Sequence, residues 1–192
     1  MKSLHLTISK NISVKYNKHG TGRNFIMFLH GAGVWSNVEE YLQNSHSIFG
    51  PKWYKKYTIL FPLCKENQFW DNDELSVLLD EFDIDKVNLI GHSWGGRGVW
   101  MFASRYPKRI KTMVPISAVG CKIITPNIHK IPCYIAHGIY DKVVEFHHAV
   151  EMYRLLSCDN VTFHVLNRDH SICDIVINQE DRLFNWMELR NE

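Results

Sequence analysis

Short apolar runs alternate with amphipathic stretches along most of the chain. Residues 25–29 form a continuous apolar run, the pattern of a strand buried on both faces of a sheet. Residues 57–61, 87–90, 113–116, 133–136 and 161–166 read the same way. Residues 4–8 and 12–16 alternate at period two and predict an N-terminal hairpin. Helical patterns fill the gaps. Ser36-Asn37-Val38-Glu39 has capping-box spacing and predicts a helix running through about Gln43. Asp71 and Glu74 repeat that logic ahead of Leu75, Leu78, Leu79 and Phe82, which share one helical face. Residues 94–106 predict a helix ended by Pro107, and residues 144–156 predict another after Asp141. Asn178 is the expected cap of a last helix whose Leu183, Trp186 and Met187 face inward. Strands alternating with helices imply an α/β fold: a mostly parallel sheet of about eight strands flanked by helices.

The length of 192 residues suits a single domain spanning residues 1–192. Apolar residues at 45% and charged residues at 22% are ordinary for a globular chain, large enough to hold a core without disulfides. The five cysteines (Cys64, Cys121, Cys133, Cys158, Cys173) are odd in number, scattered and free of any C-x-x-C pair, which favours reduced thiols and a cytoplasmic setting. The first sixteen residues hold no continuous apolar stretch, and no run approaches the roughly 18 residues of a membrane span. A net charge of +2 is small, and residues 52–56 read as a solvated basic segment before a strand, so nucleic acid is not an expected partner. The histidines lack H-E-x-x-H or similar spacing, and no metal or other cofactor is expected.

The chemistry concentrates at Gly91-His92-Ser93-Trp94-Gly95, a G-x-S-x-G pattern with an apolar strand before it and a helical run after it. A sharp strand-to-helix turn exposes the serine hydroxyl above the sheet, and glycines are needed where strand and helix approach too closely for a Cβ. The helix N-terminus also turns its N–H groups toward developing negative charge.

On these residues the sequence resembles the α/β-hydrolase superfamily. Further matching stretches are Leu29-His30-Gly31-Ala32-Gly33, Pro62-Leu63-Cys64 with Trp70 downstream, residues 91–107 and 137–144, and Asp169-His170-Ser171. Within the superfamily it looks like the lidless branch of carboxylesterases, acyl-protein thioesterases and predicted peptidases related to polyhydroxyalkanoate depolymerases. The resemblance implies a chain order of serine, acid and histidine, which selects Ser93, Asp141 and His170. Asp141 follows the 133–136 strand, and His170 follows the last strand. Among eleven histidines, His92 is too close in sequence to serve Ser93, His147 and His148 fall in a helical run, and His164 falls inside a strand. Asp169 is a rival acid but adjoins His170, and Asp159 reads as a turn residue. The backbone N–H groups of Ala32 and Trp94 are the expected oxyanion donors.

These residues predict hydrolysis of an ester or thioester through an acyl-enzyme, with activity falling through an apparent pKa of roughly 6 to 7 as the histidine protonates. Between the 113–116 and 133–136 strands the connecting stretch Val119 to Ile131 is only about a dozen residues, too few for an inserted helical lid. The site is therefore expected to be open to a small-molecule or acylated substrate, with Trp35, Phe69, Trp70, Trp94 and Tyr140 as candidate aromatic walls. The alternatives are a non-catalytic ligand binder with the same fold, and peptidase activity on the same three residues. Epoxide hydrolases, dehalogenases and dienelactone hydrolases carry Asp or Cys where this chain has Ser93.

Overall fold

The computed structural model describes residues 16–120, 125–156 and 160–191. Seven strands form one sheet: β1 (Tyr16–His19), β2 (Asn24–Leu29), β3 (Tyr57–Pro62), β4 (Val87–His92), β5 (Ile110–Ile116), β6 (Cys133–Gly138) and β7 (Val161–Leu166). Their order is β1-β3-β2-β4-β5-β6-β7. Only β1 runs antiparallel, against β3, and the other pairings are parallel. The predicted 4–8 strand and most of its hairpin partner lie outside the described residues, and Tyr16 opens β1.

Alternation along the strands feeds two cores. Met27, Leu29 and Leu89 face one side, under the helices α3 (Asn72–Glu81), α4 (Trp94–Arg105), α5 (Thr125–Ile128) and α6 (His147–Leu156). Ile26, Phe28 and Ile90 face the other, against α2 (Pro51–Lys56), a π-helical turn at Ile175–Gln179 and α7 (Asp181–Glu188). Helix α1 (Val38–Asn44) lies between β2 and α2 in the chain. The β5–β6 connection holds only the four-residue α5 among its described residues.

The capping logic holds at Asp71, whose side chain accepts from the N–H groups of Asp73 and Glu74. It shifts by one at α1, where Asn37 rather than Ser36 is the cap and accepts from the Glu40 N–H. The helix expected from residue 144 begins at His147, because the chain first turns about Asp141, although Val144 is still buried. Residues 52–56 are helical rather than a plain segment: Pro51 starts the helix with its preset φ, and Trp53 is fully buried. Asn178 does not cap α7. It sits in the π-helical turn and bridges to Gly50 N and Ile48 O, both at 2.8 Å, while Glu180 precedes α7. Leu183, Trp186 and Met187 do face inward.

Candidate active site

β4 lies between β2 and β5, so its carboxyl end opens at the middle of the sheet. There Ser93 takes φ 55° and ψ −115°, and α4 starts at the next residue. Positive φ at a residue with a side chain costs about 1–3 kcal/mol and persists only where the surroundings enforce it. A Cβ on Gly95 would stand 1.8 Å from Leu29 O, and one on Gly91 would stand 2.3 Å from Gly95 O. Both glycines are therefore demanded by the approach of β2, β4 and α4.

Two other strand ends complete the cluster. His170, in the loop after β7, places Nε2 2.9 Å from Ser93 Oγ and Nδ1 2.7 Å from Asp141 Oδ2. Asp141, after β6, is buried, and its Oδ1 accepts from the N–H groups of Val143 and Val144 at 2.9 and 2.8 Å. Burial alone would raise the Asp141 pKa, but the bond from His170 and the two backbone donors outweigh it and hold the carboxyl below its usual value. A carboxylate only accepts, so the imidazole proton belongs on Nδ1 and Nε2 is left to accept from the Ser93 hydroxyl. The rival Asp169 instead accepts from the Ser171 N–H in its own turn, and Asp159 lies outside the described residues.

The other histidines separate as expected, with additions the sequence did not reveal. His147 is exposed beside Glu145, and His164 is buried against the Tyr134 hydroxyl. His92 turns away from Ser93 and donates from Nε2 to the His170 carbonyl at 3.1 Å. Ser117 Oγ donates to the same oxygen at 3.3 Å. His137, fully buried, donates to Val144 O at 2.8 Å and lies 3.3 Å from Asp141 Oδ2, with burial pushing its pKa down. None of these roles is visible without the register of β4, β5 and β6.

The Gly31–Ala32 turn lies against the serine: a Cβ on Gly31 would meet Ser93 Cβ at 3.4 Å. The first bonds of the flanking helices run from Val34 N to Gly31 O and from Arg97 N to Ser93 O, so the Ala32 and Trp94 N–H groups precede both ladders. His30 ties the turn in place, donating from Nδ1 to Gly31 O at 2.8 Å and accepting from Cys64 N at Nε2, 3.1 Å away. Its burial lowers its pKa to about 4, so the ring is neutral.

Phe69, Trp70 and Trp94 line a cavity of ≈ 280 Å³ with Arg97 and Met101. Phe69 stacks on Trp94 at 4.8 Å, and the Arg97 guanidinium lies over Phe69 at 4.9 Å. Trp70 is buried edge-on to His30. Trp35 meets Trp94 at 5.9 Å from outside this lining, and Tyr140 is exposed beyond it.

A family model described as alpha/beta hydrolase fold matches residues 26–135, more than half of the chain. The chain belongs to the alpha/beta hydrolase fold family. Its mostly parallel sheet flanked by helices is this family's architecture, and no lid is evident among the described residues. It is 25% identical over 160 residues to the 2-hydroxy-6-oxononadienedioate/2-hydroxy-6-oxononatrienedioate hydrolase 1 of Pseudomonas putida, covering 68% of this chain and 55% of the relative. It is 37% identical over 54 residues to a poly(3-hydroxyalkanoate) depolymerase of Ectopseudomonas oleovorans, covering 28% of this chain and 19% of that one. The chain thus spans about half the length, or less, of the curated relatives it matches. An alpha/beta hydrolase enzyme from a sediment metagenome of the Mar Chica lagoon superposes with a TM-score of 0.71 at 19% identity, covering 98% of this chain and all of that one. Among the described residues no cluster of three or more His, Cys, Asp or Glu could hold a metal ion, and no helix is long and apolar enough to cross a membrane.

Proposed function

We propose that the chain is a serine hydrolase that cleaves an ester or thioester through an acyl-enzyme on Ser93. One observation carries the reading: a strained, glycine-flanked serine stands 2.9 Å from an imidazole whose far nitrogen is held 2.7 Å from a buried carboxylate. His170 takes the Ser93 proton as Oγ attacks the carbonyl carbon. Asp141 holds the ring in the productive tautomer and stabilises the imidazolium that forms. The N–H groups of Trp94 and Ala32 receive the oxyanion, each donor contributing about 3 kcal/mol to transition-state stabilisation. His170 then returns its proton to the leaving oxygen or sulfur, and a water activated by the same ring releases the acid. The stacked Phe69 and Trp94, the latter next in the chain to Ser93, support an apolar acyl or leaving group.

A fluorophosphonate probe applied to the full chain tests this reading. Labelling that disappears in Ser93→Ala, together with turnover of p-nitrophenyl esters or acyl thioesters, is expected. A folded sample that takes no label would replace the hydrolase with a ligand binder of the same fold.

A further inference from the structure

The sheet has a second concave end. Where β2, β4 and β5 begin, six residues of strand away from Ser93, lies a cavity of ≈ 620 Å³. At about 3.3 Å per residue the two sites stand roughly 20 Å apart. Five cations from four chain segments line the cavity: Arg23 before β2, Lys86 before β4, Lys108 just before and Lys111 within β5, and Lys130 before β6. Among the described residues no acidic side chain lines it.

The other cations are mixed: among the described residues six of those thirteen have a carboxylate partner. Lys52 is paired with Asp181, Lys65 with Glu74, Arg105 with Asp73 and Arg109 with Asp80. Among the described residues none of the five cations around the cavity has an acidic partner. With 22 basic and 20 acidic residues in the chain, this is a local segregation of charge and not a generally basic surface. Lys108 and Lys130 lie just beyond the ends of α4 and α5, where helix carbonyls attract cations. That account does not reach Arg23 or the half-buried Lys111.

Between the cations the wall is apolar, with Phe25, Ile110 and Ile131. The Asn88 amide, which also reaches the cavity, already spends its donors on Phe25 O and Asn191 Oδ1. Point-charge ammonium groups around a concave apolar floor suit a ligand that concentrates negative charge on one side and carries a carbon framework on the other. We propose that this cavity binds a small organic polyanion, a phosphorylated metabolite of nucleotide size, independently of Ser93. A nucleic-acid duplex would need a basic stripe extending past the cavity, which a nearly balanced surface does not offer.

Calorimetric titration with ATP, inorganic pyrophosphate, inorganic phosphate and a short DNA duplex tests the proposal. ATP is expected to bind at one site, more tightly than pyrophosphate and far more tightly than phosphate, with affinity falling as salt is raised. Ser93→Ala should bind ATP as the parent chain does. Reversing the exposed pair, Lys108→Glu with Lys130→Glu, should weaken ATP by about tenfold or more while leaving the thermal midpoint and hydrolysis in place. Those two positions avoid the folding risk of Lys111→Glu. The proposal is overturned by absence of binding at millimolar ATP, by affinity indifferent to the double reversal, by pyrophosphate equalling ATP, or by the duplex binding as tightly as ATP.

Discussion

The ring of His92 donates from Nε2 to the backbone carbonyl of His170 across 3.1 Å. The residue before the proposed nucleophile thereby holds the loop that carries the proposed base. Burial pushes the His92 pKa down, so the ring is neutral and carries the single proton that it donates. Ser117 supports the same carbonyl from β5, and three strand ends meet at one oxygen.

Removing this donor should therefore loosen the base without touching the substrate. His92→Phe is expected to lower kcat by about tenfold with KM nearly unchanged, the worth of one neutral hydrogen bond. His92→Gln, which keeps a donor, should recover most of the loss. Steady-state kinetics on a p-nitrophenyl ester reads both, and equal losses in the two variants would mean the ring acts by packing alone.

Asp141 has two tasks that substitution can separate. Its Oδ1 caps the turn at Val143 and Val144, and its Oδ2 accepts the hydrogen bond from His170 Nδ1. Asp141→Asn keeps an acceptor for the turn but presents an amide to His170, favouring the wrong tautomer. Activity should fall by roughly 10³- to 10⁴-fold with a near-parental thermal midpoint. Asp141→Ala should lose activity and also stability, by about 1–3 kcal/mol in urea unfolding, because two backbone donors are left without a partner.

Stability should decline on the acid side well before carboxylates titrate. His30 takes up its proton only near pH 4 when folded, against 6.5 for a free ring. Between those values the unfolded chain binds a proton that the native state refuses, so stability that is complete above 6.5 is lost progressively as the pH falls toward 4. The loss from this one residue reaches about 3 kcal/mol. The buried rings of His92 and His137, lowered in the same direction, add to it. Urea midpoints measured from about pH 7 to pH 4.5 check this. A level profile would show that His30 reaches water in the native state.

Much of this was legible before any coordinates. The central strands announced themselves because a parallel sheet covered on both sides makes residues such as 57–61 and 87–90 continuously apolar. Ser93, Asp141 and His170 follow in the order that the resemblance implies, at strand ends that could be read directly. What stayed hidden depends on register and on long-range closure. Asn178 has the composition of a local cap but bonds across the chain to Gly50 and Ile48. Ser117 and His137 matter only because β5 and β6 are neighbours. The cations of the second cavity lie between positions 23 and 130, and no sequence window contains them together.

The glycine requirement at the elbow is steric and can be tested apart from chemistry. Gly95→Ala would drive a methyl group into the Leu29 carbonyl, which belongs to a central strand and cannot yield. Destabilisation of about 3 kcal/mol or more is expected, with loss of the cooperative thermal transition in the extreme. Gly33→Ala, where a Cβ meets nothing within 4 Å, is the matched control and should melt with the parent.

The left-handed backbone at position 93 carries a corollary for how such a chain ages. Glycine would sit there more comfortably, so Ser93→Gly is expected to melt higher than Ser93→Ala while both are inert. A lineage released from its reaction would drift toward that relaxed form. A hydroxyl at so uncomfortable a spot is what the proposed acyl-enzyme chemistry would require.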